Sequence, residues 1–254
     1  MITFKHSGNA GDIIFSIPAI NAVMENNMIG GIVGEAEIQI RLGVAMGVSD
    51  PVKHPTGGVQ MNTTMFDMIK PLLLSSGYIK SVRTWTGDQV DYDLDRFRAQ
   101  PIQLGMGNIS RWYSNIVNLP INLHESWISV LGLSTDIIIV ARSERYLNPN
   151  LDYSFLEGHN IMFIGIDKEF ELIKKQIPNA IHQKVDNFLE MAQLIDGCKM
   201  FIGNQSLPYA IAEGLKVDRI LEPCLYAGNV IPCGGKCIEA YTQKTFEEFF
   251  KYLL

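Results

Sequence analysis

The sequence predicts an α/β protein with parallel sheets, built from two Rossmann-like halves. Three observations support this prediction. A strand, a glycine loop and a helix follow one another over residues 2–23, and the same order recurs over residues 199–215. Between residues 137 and 222, apolar strand patterns alternate regularly with helical ones. Repeated βα units of this length indicate right-handed crossovers, and therefore parallel strands.

Length and composition limit the possible classes of protein. The 254 residues suffice for one large domain or two small α/β domains, and 47% hydrophobic with 19% charged residues is typical of a folded chain. The net charge of −6 argues against a nucleic-acid partner, although it leaves a local basic groove possible. No apolar run approaches the roughly 20 residues that span a bilayer, and the N-terminus lacks the pattern of a signal peptide. We therefore expect a cytoplasmic protein with no membrane span.

The cysteines give no clear metal pattern. They are Cys198, Cys224, Cys233 and Cys237. The last two could form a ligand pair, but no C-x-x-C doublet or histidine at zinc spacing accompanies them. We expect reduced thiols and no bound metal or other cofactor.

The first strand, residues 2–5, leads into a glycine loop and a helix over residues 13–23. Gly8 and Gly11 do not have the spacing of the G-x-G-x-x-G dinucleotide fingerprint. Asp12 falls in the first helical turn, where the helix dipole favours a carboxylate that would repel a pyrophosphate. Asp12 is therefore either a helix cap or a general base at the carboxyl end of a parallel strand.

The remaining elements of the first half are less regular. We expect a short strand and loop over residues 29–37, a capped amphipathic helix from Thr63, and strands over residues 78–85 and 90–95. Asp91 and Asp93 form a D-x-D pair that could bind a metal. They also alternate with apolar residues, which favours a strand with one solvent-exposed face.

In the second half, the apolar run at residues 137–140 predicts a strand buried on both faces. Arg142, Ser143 and Arg145 follow it directly. The N–H donors of a guanidinium group have a spacing that matches two phosphate oxygens. These residues therefore form a candidate diphosphate clamp. The alternative is an ordinary Arg–Glu surface pair.

The most informative stretch is residues 201–214, where a buried strand ends at Gly203 and a helix opens at Gln205. Such a turn directs several unpaired backbone N–H groups at one point, which attracts an anion. Asn204, Gln205 and Ser206 could add hydrogen bonds to a diphosphate. The alternative is an ordinary βα turn. Glu222 ends the next strand, and we expect it to bind a ribose diol or to cap the following loop.

Two segments resemble glycosyltransferase family nine, the heptosyltransferases of bacterial lipopolysaccharide assembly and their relatives. Residues 11–20, GDIIFSIPAI, are similar to the family's opening G-D-hydrophobic-x-x-x-x-P-A-I. Residues 192–206, AQLIDGCKMFIGNQS, resemble the helix, strand and G-N-D-S-G-x-x-H loop that holds the donor nucleotide. The similarity to the family pattern is specific near both ends of the chain and weak between about residues 35 and 75.

The resemblance implies a GT-B architecture, in which two Rossmann-like domains face each other across a cleft. It also implies metal-independent, inverting transfer from a nucleotide-sugar donor to a hydroxyl acceptor, with Asp12 as the catalytic base. We expect the acceptor to be a saccharide. We place the boundary between Leu119 and Asp136. The expected units are an acceptor-side domain (1–130), a nucleotide-sugar domain (131–240) and a C-terminal helix (241–254) that packs back across the junction. The acceptor-side candidates are Asn9, Gly11, His54 and Arg111; the last two could also be a connecting-loop residue and a solvated arginine.

The chain departs from the family pattern at Gln205, Leu207 and Ala210, where the family has aspartate, glycine and histidine. These departures leave two alternatives open. One is a nucleotide or nucleotide-sugar binding module that has lost catalysis. The other is a glycosyltransferase that acts on a modified nucleobase or on DNA.

Overall fold

The computed structural model describes residues 1–46 and 56–254, and it contains two parallel sheets flanked by helices. In the described residues the strands are β1 (Ile2–His6), β2 (Ala36–Ile40), β3 (Ile79–Thr84), β4 (Tyr92–Asp93), β5 (Ile138–Ala141), β6 (Ile161–Phe163), β7 (Ile181–His182), β8 (Met200–Asn204), β9 (Arg219–Glu222) and β10 (Cys237–Glu239). The first sheet has the order β3-β2-β1-β4 and the second β10-β9-β8-β5-β6-β7. The predicted α/β class with parallel strands is confirmed.

Helices connect these strands. They are α1 (Ala10–Asn26), α2 (Thr63–Leu74), α3 (Ser110–Val117), α4 (Asp167–Lys174), α5 (Phe188–Asp196), α6 (Leu207–Leu215) and α7 (Gln243–Leu253), with 3-10 helices at Leu94–Ala99, Glu144–Tyr146 and Ser154–Leu156. No helix in the described ranges is both long and apolar enough to cross a membrane.

Two strands of the first sheet differ from the prediction. Gly30 and Gly31 adopt positive φ in a tight turn that pairs Ile29 with Ile32, so β2 starts only at Ala36. The strand expected over residues 90–95 ends at Asp93, because its side chain accepts a hydrogen bond from the N–H of Asp95 and caps a 3-10 helix.

The D-x-D pair links β4, at the edge of the first sheet, to β1. Oδ2 of Asp91 accepts hydrogen bonds from the backbone N–H and the hydroxyl of Thr3, and Asp93 pairs with Lys5 at 3.0 Å. Both carboxylates therefore join β4 to β1. Among the residues that the structure describes, no cluster of three or more histidine, cysteine or acidic side chains could hold a metal ion.

The second sheet is centred on β5 and β8, whose residues are all buried. A Cβ at Gly203 would lie 2.4 Å from the carbonyl oxygen of Ala141, so glycine lets these two strands approach closely. The chain runs from β5 outward to β6 and β7, and then returns to β8 on the other side of β5. The carboxyl ends of β5 and β8 therefore flank a topological switch point, where α/β sheets bind ligands.

One continuous hydrophobic core joins the two halves of the molecule. It contains Phe4 and Ile14 from the first half together with Phe201 and Tyr209 from the second. Helix α1 packs on α6, and α2 packs on α5. The N-termini of α1 and α6 meet at this junction, where a methyl group at Gly11 would contact Ala210 at 3.9 Å.

The C-terminal helix does not pack back across the junction, which corrects the expectation for residues 241–254. Phe246 and Phe250 of α7 belong to a second core cluster formed by the second sheet. Phe246 makes edge-to-face contacts with Tyr153 and Phe155. The apolar face of α7 finds these aromatic partners within its own half.

Candidate active site

A small cavity of ≈ 130 Å³ lies between the N-termini of α1 and α6. Its lining includes Asn9, Gly11, Asp12, Gln60, Arg145, Gln205, Ser206 and Asn229. Since each helix starts at the carboxyl end of its own sheet, the cavity is the cleft between the two halves. The predicted base and most of the second-half loop therefore face the same space.

Asp12 is the third residue of α1, where it completes the capping box of the N-cap residue Asn9, and it also lines this cavity. Its Oδ2 accepts a hydrogen bond of 3.2 Å from the backbone N–H of Asn9, and the side chain keeps 22% of its surface exposed. Burial raises the pKa of the Asp12 carboxyl, against the opposing effects of Arg98 and of the Asn9 hydrogen bonds. A carboxylate with a raised pKa is a better proton acceptor than a solvated one, so the two interpretations of Asp12 are compatible.

Gly8 makes room for this carboxylate. A Cβ at Gly8 would lie 2.6 Å from Cε1 of His6 and 2.8 Å from Oδ2 of Asp12. Any larger residue would have to displace one of these side chains. The glycine loop therefore allows close packing around a carboxylate.

A buried hydrogen-bond chain supports the first turn of α1 from below. The N–H of Gly8 donates to Nδ1 of His6 at 2.8 Å, so the ring proton is on Nε2. Nε2 donates to the Tyr113 hydroxyl at 2.8 Å, and this hydroxyl donates to the backbone carbonyl of Asp12 at 3.2 Å. Burial lowers the pKa of His6 to about 4, so the imidazole is neutral at pH 7.

A second, larger cavity of ≈ 430 Å³ lies over the carboxyl ends of β5, β6 and β7. Met65, Met68, Phe188 and Met191 give it an apolar side, and Ser143, Glu169, His182 and Lys184 give it polar groups. Met65, Arg145, Ser206 and Leu207 line both cavities. The last three, which belong to the second half, form a shared wall between the larger and the smaller cavity.

Asn204 and Gln205 hold the second-half loop in place with their side chains. Oδ1 of Asn204 accepts from the N–H of Ser143 at 2.8 Å, and its Nδ2 donates to the Ser143 carbonyl at 2.6 Å. Nε2 of Gln205 donates to Asn229 at 2.9 Å, while its Oε1 accepts from the N–H of Cys224 at 2.8 Å. The hydrogen bonds of Asn204 thus link the segment that follows β5 to the end of β8. Those of Gln205 fix the N-terminus of α6.

Arg142 does not form the expected open clamp. Its side chain is 6% exposed, and its Nε pairs with Oε2 of Glu222 at 2.7 Å. The same guanidinium donates to the carbonyl oxygens of Asn148 and Leu151. The expectation for Arg142 is corrected to a buried ion pair at the wall of the larger cavity, whereas Arg145 lines both cavities.

Glu222 is also corrected, because its side chain has no exposed surface. Its carboxylate accepts from Arg142, from the backbone N–H of Asn148 and from the Tyr153 hydroxyl at 2.7 Å. A fully buried carboxylate with these partners cannot reach a ribose. Asp167 and Glu169, both in the first turn of α4, line the larger cavity, and burial raises the pKa of Glu169.

Of the described acceptor-side candidates, Arg111 lies outside the lining of the smaller cavity. Arg111 is exposed, and its NH2 donates to the carbonyl of Met106 at 3.4 Å. His54 lies outside the described residues. Asn9 and Gly11 do line the cavity, and Oδ1 of Asn9 is buried without a hydrogen-bond partner among the residues described.

Sequence reasoning missed Glu169 and Asn229, and it did not connect Arg98 with Asp12. Glu169 carried a usable signal, because an acid in the first turn of a helix after a buried strand is the pattern that identified Asp12. Asn229 lies in an irregular segment, where spacing carries no information. Arg98 reaches Asp12 from another element, which only the fold can bring close.

Two parallel-sheet halves whose carboxyl ends face a common cavity form a GT-B-like fold, and solved glycosyltransferases of family 9 have similar structures. The structure is similar to a family 9 glycosyl transferase from Veillonella parvula, with a TM-score of 0.62, 12% identity and coverage of 99% of this chain and 88% of that one. It is also similar to the E. coli heptosyltransferase WaaC solved with ADP-2-deoxy-2-fluoro heptose, with a TM-score of 0.62, 8% identity and coverage of 100% and 99%.

E. coli ADP-heptose lipopolysaccharide heptosyltransferase II gives a TM-score of 0.58 at 13% identity, over 99% of this chain and 98% of that chain. No family model matches the sequence, and no curated protein does. At these identities the likeness confirms the fold that the sequence resemblance implied, including the two facing halves.

Proposed function

We propose that the protein is a glycosyltransferase that moves a sugar from a nucleotide-diphosphate donor to a hydroxyl acceptor, with inversion and without a metal ion. The observation that carries this proposal is the pair of adjoining cavities. They share Arg145, Ser206 and Leu207 as a wall, and the smaller one contains the Asp12 carboxylate. A donor with a nucleoside at one end and a sugar at the other fits this division.

The larger cavity would take the nucleoside. Its methionine and phenylalanine side chains offer apolar contact to a base, and Glu169 is a carboxylate that can accept hydrogen bonds from ribose hydroxyls. This assigns to Glu169 the role that was expected of Glu222. The WaaC neighbour, which was solved with an ADP-sugar analogue, supports a donor of this class.

The diphosphate would lie at the shared wall. Arg145 brings a guanidinium to both cavities, and the N-terminus of α6 begins at Leu207. Pro208 has no N–H, so the backbone donors of this turn are those of its neighbours. Asn204 and Gln205 contribute by fixing the loop, and Ser143 lines the larger cavity beside it.

The reaction in this arrangement is a single displacement. Asp12 takes the proton of the acceptor hydroxyl while that oxygen forms a bond to the anomeric carbon of the sugar. The bond from the anomeric carbon to the diphosphate oxygen breaks, and the diphosphate leaves with the electron pair. Arg145 and the N-terminus of α6 stabilise the negative charge that develops there.

The acceptor would enter beside α1. The unpartnered Oδ1 of Asn9 lines the same cavity as Asp12, and a buried acceptor atom of this kind calls for a donor such as a hydroxyl. A saccharide provides several hydroxyl groups for this purpose. We therefore propose a saccharide as the acceptor.

The alternative is a binding module without catalysis, and the side chain of Gln205 favours it, because both of its ends are engaged in holding the loop. The two functions differ in whether donor bonds are broken. Both predict binding of a nucleotide diphosphate, and the transferase alone predicts transfer or hydrolysis.

The test is a thermal-shift screen against nucleotide diphosphates and their sugars, followed by a transfer assay with the best donor. Asp12→Asn should lower the transfer rate by about 10²–10⁴-fold and leave the Kd for the donor unchanged, because it removes the proton acceptor alone. Glu25→Gln, an exposed change at the far end of the same helix, is the matched control.

Transfer by Asp12→Asn at the wild-type rate would contradict the role of Asp12. Binding of the donor without transfer or hydrolysis would identify the binding module. Activity that is lost in EDTA and restored by a divalent cation would contradict metal independence.

A further inference from the structure

Arg98 reaches the site from the 3-10 helix Leu94–Ala99 and joins three side chains there. Its NH1 pairs with Oδ1 of Asp95 at 3.1 Å, and its NH2 donates to Oε1 of Gln60 at 3.1 Å. The same NH2 lies 3.8 Å from Oδ2 of Asp12. Gln60 and Asp12 both line the smaller cavity, so the guanidinium lies at its edge.

The contacts of Arg98 restrict its position. Its guanidinium carbon lies 4.3 Å from the centroid of the Phe97 ring, and Phe97 is buried. Asp95, which anchors the other side of the guanidinium, also pairs with Lys5 at 3.2 Å and accepts from the N–H of Ser7 at 2.8 Å. A planar guanidinium held at several points has a fixed orientation toward Asp12.

The groups that face Asp12 come from several elements of both halves. The titratable and charged ones are Arg98 and Asp95 on the 3-10 helix, His6 at the end of β1, Tyr113 on α3 and Arg145 in the second half. Burial raises the pKa of Asp12, and Arg98 is the strongest opposing influence. The neutral His6 imidazole adds no charge at pH 7.

We propose that Arg98 is a positioning residue for the transfer reaction, which holds the Asp12 carboxylate ionised and directs it into the cleft. This role rests on the proposed function of Asp12 as the base. The N–H of Asn9 and the Arg98 guanidinium both approach Oδ2 of Asp12. The proposal therefore assigns proton transfer to Oδ1, the other oxygen.

A single ion pair near the surface would normally have little effect on stability, because solvent screens it. Its effect on a half-buried base is different. Burial raises the pKa of Asp12, and the positive charge of Arg98 lowers it. Without Arg98 this pKa would therefore be higher, and the carboxyl would keep its proton to a higher pH. Base catalysis then fails on the acidic side of the pH profile, while the folded state is nearly unaffected.

The experiment compares the pH profiles of kcat/KM for the wild type, Arg98→Ala and Arg98→Lys. We expect the acidic limb of Arg98→Ala to move to higher pH, with kcat/KM at a pH on that limb about tenfold below the wild type. Arg98→Lys keeps a positive charge and should recover part of the shift. The Kd of the nucleotide diphosphate should be the same in all three proteins.

A measurement without turnover separates this inference from the proposed function. The Asp12 carboxyl is titrated by carbon-detected NMR in wild type and Arg98→Ala, with Asp12→Asn used to assign the signal. A higher titration midpoint in Arg98→Ala supports the electrostatic link between Arg98 and Asp12 even if no donor sugar is ever transferred. Thermal melting of each variant shows that it is folded.

Two results would overturn the inference. One is an Asp12 midpoint that does not change in folded Arg98→Ala. The other is a uniform loss of kcat at every pH, with the acidic limb in place and no recovery in Arg98→Lys. If the wild type transfers no sugar but the midpoint still shifts, the proposed function fails and the electrostatic link between Arg98 and Asp12 stands.

Discussion

His6 is a titratable side chain at the base of the site that is kept neutral by its surroundings. Its Nδ1 accepts from Gly8 and its Nε2 donates to Tyr113, so a second proton would have no acceptor. The imidazole has no exposed surface. Protonation must therefore disturb the hydrogen-bond chain that ends at the carbonyl of Asp12.

This arrangement predicts a loss of stability in acid. The pKa of His6 is lowered from 6.5 to about 4, so between these values the unfolded chain binds the proton and the folded chain does not. His6 should therefore contribute fully above pH 6.5 and lose roughly 3 kcal/mol of stability as the pH falls to 4. Urea unfolding at pH 7 and pH 5 measures the part of this loss that falls above pH 5, about 2 kcal/mol.

His6→Gln is the matched variant, because an amide can accept from Gly8 and donate to Tyr113 without titrating. The free energy of unfolding of His6→Gln should fall less between pH 7 and pH 5 than that of the wild type. Equal losses in the two proteins would contradict the neutral imidazole.

At the level of single residues, the sequence could predict Asp12 because its position after a strand and a glycine loop is local. The sequence could not predict whether the Arg142 guanidinium is free to bind a phosphate. Whether an arginine after a strand meets phosphate or a carboxylate depends on Glu222, 80 residues away in the chain. The sequence patterns of the two outcomes are the same.

At the level of elements, the ion pair of Arg142 and Glu222 joins the carboxyl ends of β5 and β9. The guanidinium also stacks over Tyr153, 4.5 Å from the ring centroid. These contacts explain why a charged pair is retained inside the second half. Its loss should affect folding and leave the chemistry of the site intact.

Glu222→Gln should therefore lower the free energy of unfolding by about 3–5 kcal/mol, because it leaves a buried guanidinium without its counter-charge. The control is Glu248→Gln on α7, where the pair with Lys244 is 3.9 Å long and its side chains are 84% and 58% exposed. That change should cost about 0.5 kcal/mol or less. Urea denaturation measures both.

A ribose-binding role for Glu222 predicts the opposite result, in which stability is kept and the Kd of the nucleotide diphosphate rises. Folded Glu222→Gln with wild-type stability would thus contradict a structural role for the buried pair of Arg142 and Glu222.

The regular elements were the most predictable part of the fold. The strands of the second half have continuous apolar runs because both of their faces are covered, and such runs are easily recognised. The direction of α7 was not predictable in this way. Its apolar face indicates only that the helix is packed. The aromatic residues that it contacts, Tyr153 and Phe155, come from the distant 3-10 helix Ser154–Leu156 and its N-cap.

At the level of the whole molecule, the two halves share a core and should unfold together. Trp85, Trp112 and Trp127 all lie before residue 130, so tryptophan fluorescence reports on the first half and the junction. Far-UV circular dichroism reports on the helices of both halves. In urea, the two signals should give the same midpoint.

A nucleotide diphosphate bound to the second half should move both signals to higher urea together. At a ligand concentration of 100 Kd, the added stability is about 2.7 kcal/mol. A dichroism transition that shifts with ligand while the fluorescence transition stays in place would show that the halves unfold independently.

The wall formed by Arg145, Ser206 and Leu207 has a consequence for the design of inhibitors. Because the two cavities adjoin along these residues, a nucleoside diphosphate tethered to an acceptor mimic could occupy both at once. The second contact would then form at a high effective concentration, and the tethered compound would bind far more tightly than either part alone.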